Sequence, residues 1–375
     1  MQQQFTLYRT LLRWSYWFIA VWYSLCVIAW YLTVNGKAWL SIVSLTYPVA
    51  LIALIVVTIA ATFTARYTIF ISSLLVLFSY RMIDSSFPLN GKAQVAAAPN
   101  NNHIRIATFN VQHFGDSRFK HDSANSQRNI IFRTIKQWNI DVVCLQDFVE
   151  FKMEGERSNI NDMLQRAGFK YHFFSNDFAY DIYTGTRFYG TAIFSKYPIV
   201  DSAQYPILNG SYAEHMSAVS VVVKQQKLKI YNMHLQSYYL GANKDTSSKA
   251  WVDASTAYIA NHGSRMDKIV YFDSVHHQQV KKIKIILNRE TQPYILACDA
   301  NAIPAMHTYQ QLASNLNDAW ANCGFGWGAT YKNRIPYMRI DYLFGSNAIQ
   351  WQAVQVVDHA GSDHRALIAD FTLRK

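Results

Sequence analysis

The sequence predicts an α/β domain carried behind a transmembrane helical segment, and three observations lead there. Apolar residues crowd the N-terminal stretch, where Asp84 is the one acid before His103. From His103 onward, short apolar runs alternate with polar stretches, some of them with helical periodicity. Polar residues then recur at the ends of the apolar runs, where a strand hands over to a loop.

A chain of 375 residues is long enough for a large core with extra elements. Its 51% apolar and 15% aromatic content is high for one soluble domain, and the excess lies in the N-terminal stretch. The net charge is +11. Arg9, Arg13, Arg66 and Arg81 flank the apolar segments, and the remaining charge is spread over the C-terminal portion. This balance suits an anionic substrate or an anionic membrane surface, and equally ordinary solubility. The cysteines, Cys26, Cys144, Cys298 and Cys323, show no zinc spacing and no disulfide framework. Cys144 and Cys298 read as small core residues within strands. A disulfide between them is the alternative if their strands are neighbours.

Residues 1–86 read as a membrane anchor with about three spans: Leu11 to Val34, Ala38 to Ala65, and Tyr67 to Ile83. A helix needs about 20 apolar residues to cross a bilayer. Trp14, Trp17, Trp22, Trp30 and Trp39 fall near the expected interfaces. A signal peptide fits the first run poorly, because the run is long and aromatic, lacks a small-residue cleavage site, and is followed at once by another. Arg9 and Arg13 before the first span, and Arg66 between the second and third, put the N-terminus in the cytoplasm and the C-terminal domain outside it. Arg81 pulls the other way. A third segment that only dips into the membrane would leave the domain cytoplasmic. Asp84 to Asn102 has linker composition, with Ser, Pro, Gly, an Ala run and three consecutive Asn, and residues 87–102 are read as the linker.

The domain, residues 103–375, is read in order. Ile104 to Asn110 is a strand ending at Asn110, and Arg128 to Trp138 is a helix with Ile131, Ile135 and Trp138 on one face. Asp141 to Leu145 is a strand ending at Gln146 and Asp147. Ile160 to Ala167 is a helix; Gly190 to Ser195 and Ala218 to Val223 are strands. Leu228 to His234 is a strand with Asn232 and His234 at its end. His276 to Glu290 is a basic helix with His276 and His277 on a solvated face. Tyr294 to Asp299 is a strand that delivers Asp299, with Asn301 just beyond. Ile340 to Phe344 carries Asp341, and Ser362-Asp363-His364 precedes the last strand, Ala366 to Phe371. Loops at one edge of a β scaffold are where function gathers. Four Asp, two His and several amides form the donor set of a hard cation such as Mg²⁺, and no soft thiolate site competes.

These stretches resemble the endonuclease/exonuclease/phosphatase superfamily. The matching pieces are I-R-I-A-T-F-N-V with Asn110, D-V-V-C-L-Q-D with Asp147, Y-G-T-A-I-F-S-K-Y-P-I from Tyr189, Y-N-M-H-L-Q-S with Asn232 and His234, A-C-D-A-N-A-I-P with Asp299 and Asn301, R-I-D-Y-L-F with Asp341, and G-S-D-H-R-A-L with Asp363 and His364. Each piece alone is weak, and their common order carries the resemblance. Several spans before such a domain look like a bacterial, inner-membrane-anchored branch.

The resemblance implies a four-layer α-β-β-α sandwich and hydrolysis of a phosphate ester with Mg²⁺, or Mn²⁺ in its place. It implies metal positions at Asn110, Asp147 and Asp363. It implies that Asp299 activates water with Asn301 orienting it, that Asp341 holds His364 against the phosphate, and that His234 stands by the leaving oxygen. It further implies two partners, the bilayer and a phosphate-ester substrate, nucleic acid or phospholipid head group. No obligate protein partner is expected. A lipid head-group hydrolase at the bilayer and a weakened, noncatalytic phosphate-binding domain are the alternative functions. Two departures stand out. Asp147 occupies a position where the family usually has Glu, shortening the arm by about 1.5 Å, one C–C bond. Cys298 replaces the small Gly usual before the catalytic Asp.

Overall fold

In the computed structural model, residues 2–32, 39–91, 94–96, 103–115, 126–153, 158–182, 185–208, 214–240, 254–332, 335–359 and 361–374 are described. The apolar N-terminal runs fold as helices α1 (Gln2–Tyr31), α2 (Trp39–Leu45), α3 (Tyr47–Thr62), α4 (Tyr67–Phe78) and α5 (Tyr80–Ser86). Helix α1 is long and apolar enough to cross a membrane, at about 1.5 Å per residue spanning ~45 Å. The second expected run breaks at Thr46, with Pro48 in the first turn of α3, where its missing N–H costs nothing. The third breaks at Ser79, and α4 and α5 meet at a bend of 68°. Tyr16 bonds Thr68 and Ser72, and Tyr31 bonds Phe78, so α1 and α4 run parallel. Cys26 lies by Thr46 at the start of α3, while Thr58 near its end bonds Ser72, so α3 runs antiparallel to both.

The domain follows with β1 (Ile104–Asn110), α6 (Gln127–Gln137), β2 (Val142–Met153), α7 (Asn159–Arg166), β3 (Tyr171–Ile182), β4 (Gly185–Ser195), β5 (Ile199–Pro206), β6 (His215–Val223), β7 (Gln226–His234), α8 (Ala254–His262), α9 (Arg265–Leu287), β8 (Tyr294–Asp299), α10 (His307–Leu312), β9 (Asn317–Asp318), α11 (Ala319–Cys323), β10 (Asp341–Gly345), β11 (Ile349–Val357) and β12 (Ala366–Leu373). One sheet has the order β11-β12-β1-β2-β4-β3, the other β5-β6-β7-β8-β10-β9. Alternation along each strand sends successive side chains to opposite faces, and here both faces of the central strands are buried. Ile104, Ile106, Val142, Cys144, Val219, Ile230, Ile295 and Leu343 meet between the sheets. Ala107, Phe109 and Val143 turn outward under α6 and α7, and Leu296, Cys298 and Tyr342 turn outward under α9 and α10. The result is the four-layer α-β-β-α sandwich.

Cys144 and Cys298 are buried core residues as read, and because Cys144 lies between the sheets and Cys298 on the outer face of the second, the alternative disulfide is absent and both are free. Two readings need correcting. The helix read as starting at His276 begins at Arg265, capped by Ser264 and Asp267. His276 is fully buried, its Nε2 2.6 Å from the Gln236 carbonyl. The strand read as ending at Gln146 and Asp147 runs on to Met153 through a bulge between Leu145 and Phe148.

The stretch of linker composition is packed on the domain where it is described. Leu89 bridges Phe325, Phe87 meets Trp327 edge-on at 4.9 Å, and Val95 is buried in the core under the first sheet. The helices dock as well. Trp30 Nε1 donates to the Pro304 carbonyl at 3.0 Å. The buried Arg339 pairs with Asp318 at 2.6 Å and also donates to the Ser85 carbonyl.

Candidate active site

Register places the site. Strand β7 pairs with β8 in parallel and β10 pairs with β8 antiparallel, so His234, Asp299 and Asp341 stand abreast across three strands. From the facing sheet, β1 ends at Asn110 and the turn before β12 brings Asp363 and His364 to the same edge. Two hydrogen-bonded devices hold these edges, one between the sheets and one within the facing sheet. Asn232, also read as a strand-end polar group, lies between the sheets rather than in the cleft and is fully buried. It donates to the Leu145 and Ala192 carbonyls and accepts from Gln146 Nε2 at 2.7 Å. Ser362 Oγ donates to the Asn110 carbonyl at 2.8 Å and accepts from His364 N at 3.0 Å.

At the centre is Asp299, 1% exposed. Its Oδ2 accepts from Asn110 Nδ2 at 3.0 Å and lies 3.6 Å from His234 Nε2 and 3.7 Å from His364 Nε2. Its Oδ1 accepts from the Asn301 backbone N–H at 2.9 Å. Asn301 has a left-handed backbone, φ 47°, and its Nδ2 donates to the Leu235 carbonyl at 2.9 Å and stands 3.1 Å from His234 Nε2. Asp341 is fully buried behind the cleft, 2.9 Å from His364 Nδ1. Thr330 Oγ1 accepts from its backbone N–H and from that of Ile340, fixing the start of β10. Burial disfavours charge on His364, and the Asp341 and Asp299 carboxylates outweigh it, raising the pKa to about 9. Burial keeps Asp341 above the usual carboxylate range in spite of His364.

Asp147 sits in the β2 bulge with φ 48°. A bulge re-aims a side chain, and this one turns the carboxylate into the cleft. Its Oδ1 lies 3.2 Å from His234 Nδ1 and 3.5 Å from His113 Nε2. Burial would raise its pKa, and the two histidines outweigh this and hold it far below the ordinary carboxylate range. On His234, burial opposes charge, while Asp147 and Asp299 prevail and raise the pKa well above the histidine range. Asp363 is partly buried, which raises its pKa, and its N–H donates to Gln112 Oε1 at 3.2 Å.

Asn110, Asp147, His234, Asp299, Asn301, Asp363 and His364 thus line one cleft of about 870 Å³, with Asp341 behind it. Gln112 and His113 stand in no motif of the sequence. They lie in a turn of three successive left-handed residues, φ 47°, 51° and 57° at Gln112, His113 and Phe114, strain of the kind found at functional sites. Arg265, Tyr238, Tyr239 and Tyr331 also line the cleft, and no local motif marks them.

The donors suit a hard divalent cation: carboxylate and amide oxygens crowd one edge, and two of the carboxyls are pushed up by burial. Among the described residues, the ligand atoms of Asp299, Asp341 and His364 lie within 4.8 Å of one another. Asn110, Asp147 and Asp363 add oxygen donors on the cleft wall.

A sequence model of the endonuclease/exonuclease/phosphatase family matches residues 107–364. The chain belongs to that family. Family members are divalent-metal-dependent hydrolases of phosphate esters. Solved structures show the same fold at low identity. An endonuclease/exonuclease/phosphatase from Beutenbergia cavernae is 18% identical, with TM-score 0.51, over 73% of this chain and 72% of that one. A family protein from Leptotrichia buccalis is 16% identical, with TM-score 0.50, over 72% and 100%. The human Nocturnin catalytic domain, solved with a bound sulfate anion, is 16% identical, with TM-score 0.50, over 73% and 94%. A comparison with curated proteins gave no match.

Proposed function

We propose that this chain is a membrane-anchored phosphoesterase that uses Mg²⁺, with Mn²⁺ as a substitute, to hydrolyse a phosphate ester by in-line attack of water. The observation that carries the reading is the row His234–Asp299–Asp341, with His364 held at 2.9 Å by Asp341. Water attacks phosphorus as the bond to the leaving oxygen breaks. Asp299 takes the proton of the water, with Asn301 orienting it. His364, protonated until about pH 9, donates to a nonbridging oxygen, where charge builds in the transition state. His234, held between Asp147 and Asn301, gives a proton to the leaving oxygen. Asn110, Asp147 and Asp363 would hold the cation, which when bound neutralises charge developing on the phosphoryl group. Asp147, shorter than the family's Glu, reaches the cleft because the bulge turns it there.

Residues 1–86 form the anchor in this reading and residues 103–375 the catalytic domain, placed outside the cytoplasm. Helix α1 has the length to span, and the passes of α1, α3 and α4 alternate in direction, so α5 leaves on the side opposite the N-terminus. Helices α3 and α4, ~24 and ~18 Å long, require a locally thinned bilayer or flanking polar groups that reach the interface.

Full-length protein in detergent is assayed on DNA, RNA, p-nitrophenyl phosphate esters and phospholipids, with and without EDTA. Hydrolysis that EDTA abolishes and Mg²⁺ restores is expected, with Asp299→Asn and His364→Ala each lowering kcat about 10²-fold or more in protein of unchanged melting temperature. Metal-independent hydrolysis, or none on any substrate, sinks the reading. An alkaline-phosphatase fusion after Lys375 tests the topology, and an inactive but stable fusion overturns it.

A further inference from the structure

The cleft has two unlike walls. One is the acid, amide and histidine edge described above. The other is apolar and belongs to the same hydrophobic cluster as the N-terminal helices. Tyr238, Tyr331, Met338 and Ile340 line the cleft, and all four pack in the cluster that contains Tyr16, Tyr23, Trp30 and Tyr47 of the helices. Ala302, Ile303, Ala305 and Met306, on the loop just beyond Asn301, complete that cluster. Apolar packing is therefore continuous from the helical bundle to within a few residues of Asp299.

The wall continues outward to exposed apolar side chains. Leu240 and Ile335 line the cleft while 42% and 39% exposed. Met266 and Val270, one turn apart on α9 next to the cleft-lining Arg265, are 55% and 39% exposed. The helices themselves present Phe18, Ile52, Ile59 and Phe70 outward, each more than half exposed, as a lipid-facing surface must. Apolar side chains exposed beside a charged cleft are unfavourable in water unless something apolar covers them. Among the described lining residues, Arg265 is the one Lys or Arg. A nucleic-acid channel needs a track of such cations along the backbone.

We propose that the substrate is an amphiphilic phosphate ester of the bilayer, its phosphate at Asp299 and His364 and its apolar tail along Tyr331, Ile335, Met338 and Leu240. This rests on the phosphoesterase reading above and deepens it. The helices then do more than anchor. They build the apolar wall, and they place the cleft mouth where a lipid can enter without leaving an apolar environment.

The test uses the full chain in phosphatidylcholine nanodiscs and two independent readouts. The first is photolabelling with a hexadecyl phosphate monoester that carries a diazirine in its tail, mapped by mass spectrometry. Labels on Leu240, Tyr331, Ile335 or Met338 are expected, and Ile335→Asp should cut them at least about five-fold. Labels confined to lipid-facing helix residues such as Phe18, Ile52 and Phe70 overturn the inference. The second is turnover of two diesters with identical reacting groups, methyl and hexadecyl p-nitrophenyl phosphate, against a single-stranded DNA 20-mer. The hexadecyl ester should exceed the methyl ester at least about 30-fold in kcat/KM, with a smaller ratio in Ile335→Asp. Equal turnover of the two esters without cleft labelling sinks the tail site and leaves the phosphoesterase reading intact, and faster turnover of the DNA sinks it too. Cleft labelling without hydrolysis of either ester, of the DNA or of any substrate above keeps the tail site and sinks the hydrolase reading.

Discussion

Replacing Asp341 by Asn should move the alkaline limit of activity toward neutral pH. Asn has nearly the same shape, and its oxygen can still accept from His364 Nδ1, so the geometry at 2.9 Å survives while the charge is lost. In place, His364 titrates at about 9 against an ordinary 6.5. That separation corresponds to a proton affinity higher by about two orders of magnitude, or about 3 kcal/mol. Because the folded pKa lies above the unfolded one, the protonated ring contributes this stability in full below about pH 6.5. The contribution is lost as pH rises through about 9. Burial alone lowers the pKa of His364, and Asp299, at 3.7 Å, and Asp363 beyond it are the charged partners that remain. In Asp341→Asn the imidazole should therefore titrate lower by at least about one pH unit, a tenfold loss of proton affinity. Histidine ¹⁵N spectra of the full-length protein in detergent micelles read the titration directly, and the kcat–pH profile reads its consequence. The alkaline limb should move down from near 9, with activity at pH 6 closest to wild type. A limb that stays within about 0.3 pH units of wild type in a folded variant would refute the argument that Asp341 sets the charge on His364.

Other outcomes follow from the same geometry. Asn232→Ala removes the clamp between the sheets and orphans two buried carbonyls; a loss of about 2–4 kcal/mol in urea unfolding is expected. Arg339→Met leaves Asp318 buried and unpaired and frees the Ser85 carbonyl. It should cost about 3–5 kcal/mol, visible in the melting temperature, and Asp318→Asn in the same chain should recover part of it. At Gly190 an added Cβ would meet the Ser175 carbonyl oxygen at 1.9 Å. Gly190→Ala should therefore give little folded protein, as measured by limited proteolysis, because the clash is with backbone beside the β3 bulge.

Legibility of the fold divided by position in the sheets. The apolar runs of β1, β2, β4, β6, β7, β8, β10 and β12 were readable, and each of these strands has a neighbour on both sides. The unread strands, β3, β5, β9 and β11, are the four sheet edges. Edge strands face solvent along one side and carry polar residues that blunt pairing. Strand β5 alternates partly buried and exposed positions through I-V-D-S-A-Q-Y-P and reads as a loop. The breaks at Thr46 and Ser79 were hidden for the opposite reason. Both fall inside apolar runs, where composition carries no signal of direction.

For the candidate site, the residue types were in the sequence and their roles in space were not. The ends of the central strands, Asn110, His234 and Asp299, could be read because a buried strand must stop where its polar residues begin. The N-terminal helices were legible as apolar length. Tertiary structure alone decided the rest. Pairing register set His234, Asp299 and Asp341 in one row, because strands distant in sequence meet only through hydrogen bonding. A bulge, invisible in V-V-C-L-Q-D-F-V, aimed Asp147 at two histidines. Packing of the helices on the loop after Asn301 joined the apolar bundle to the cleft, a contact between segments separated by more than two hundred residues that no local pattern encodes.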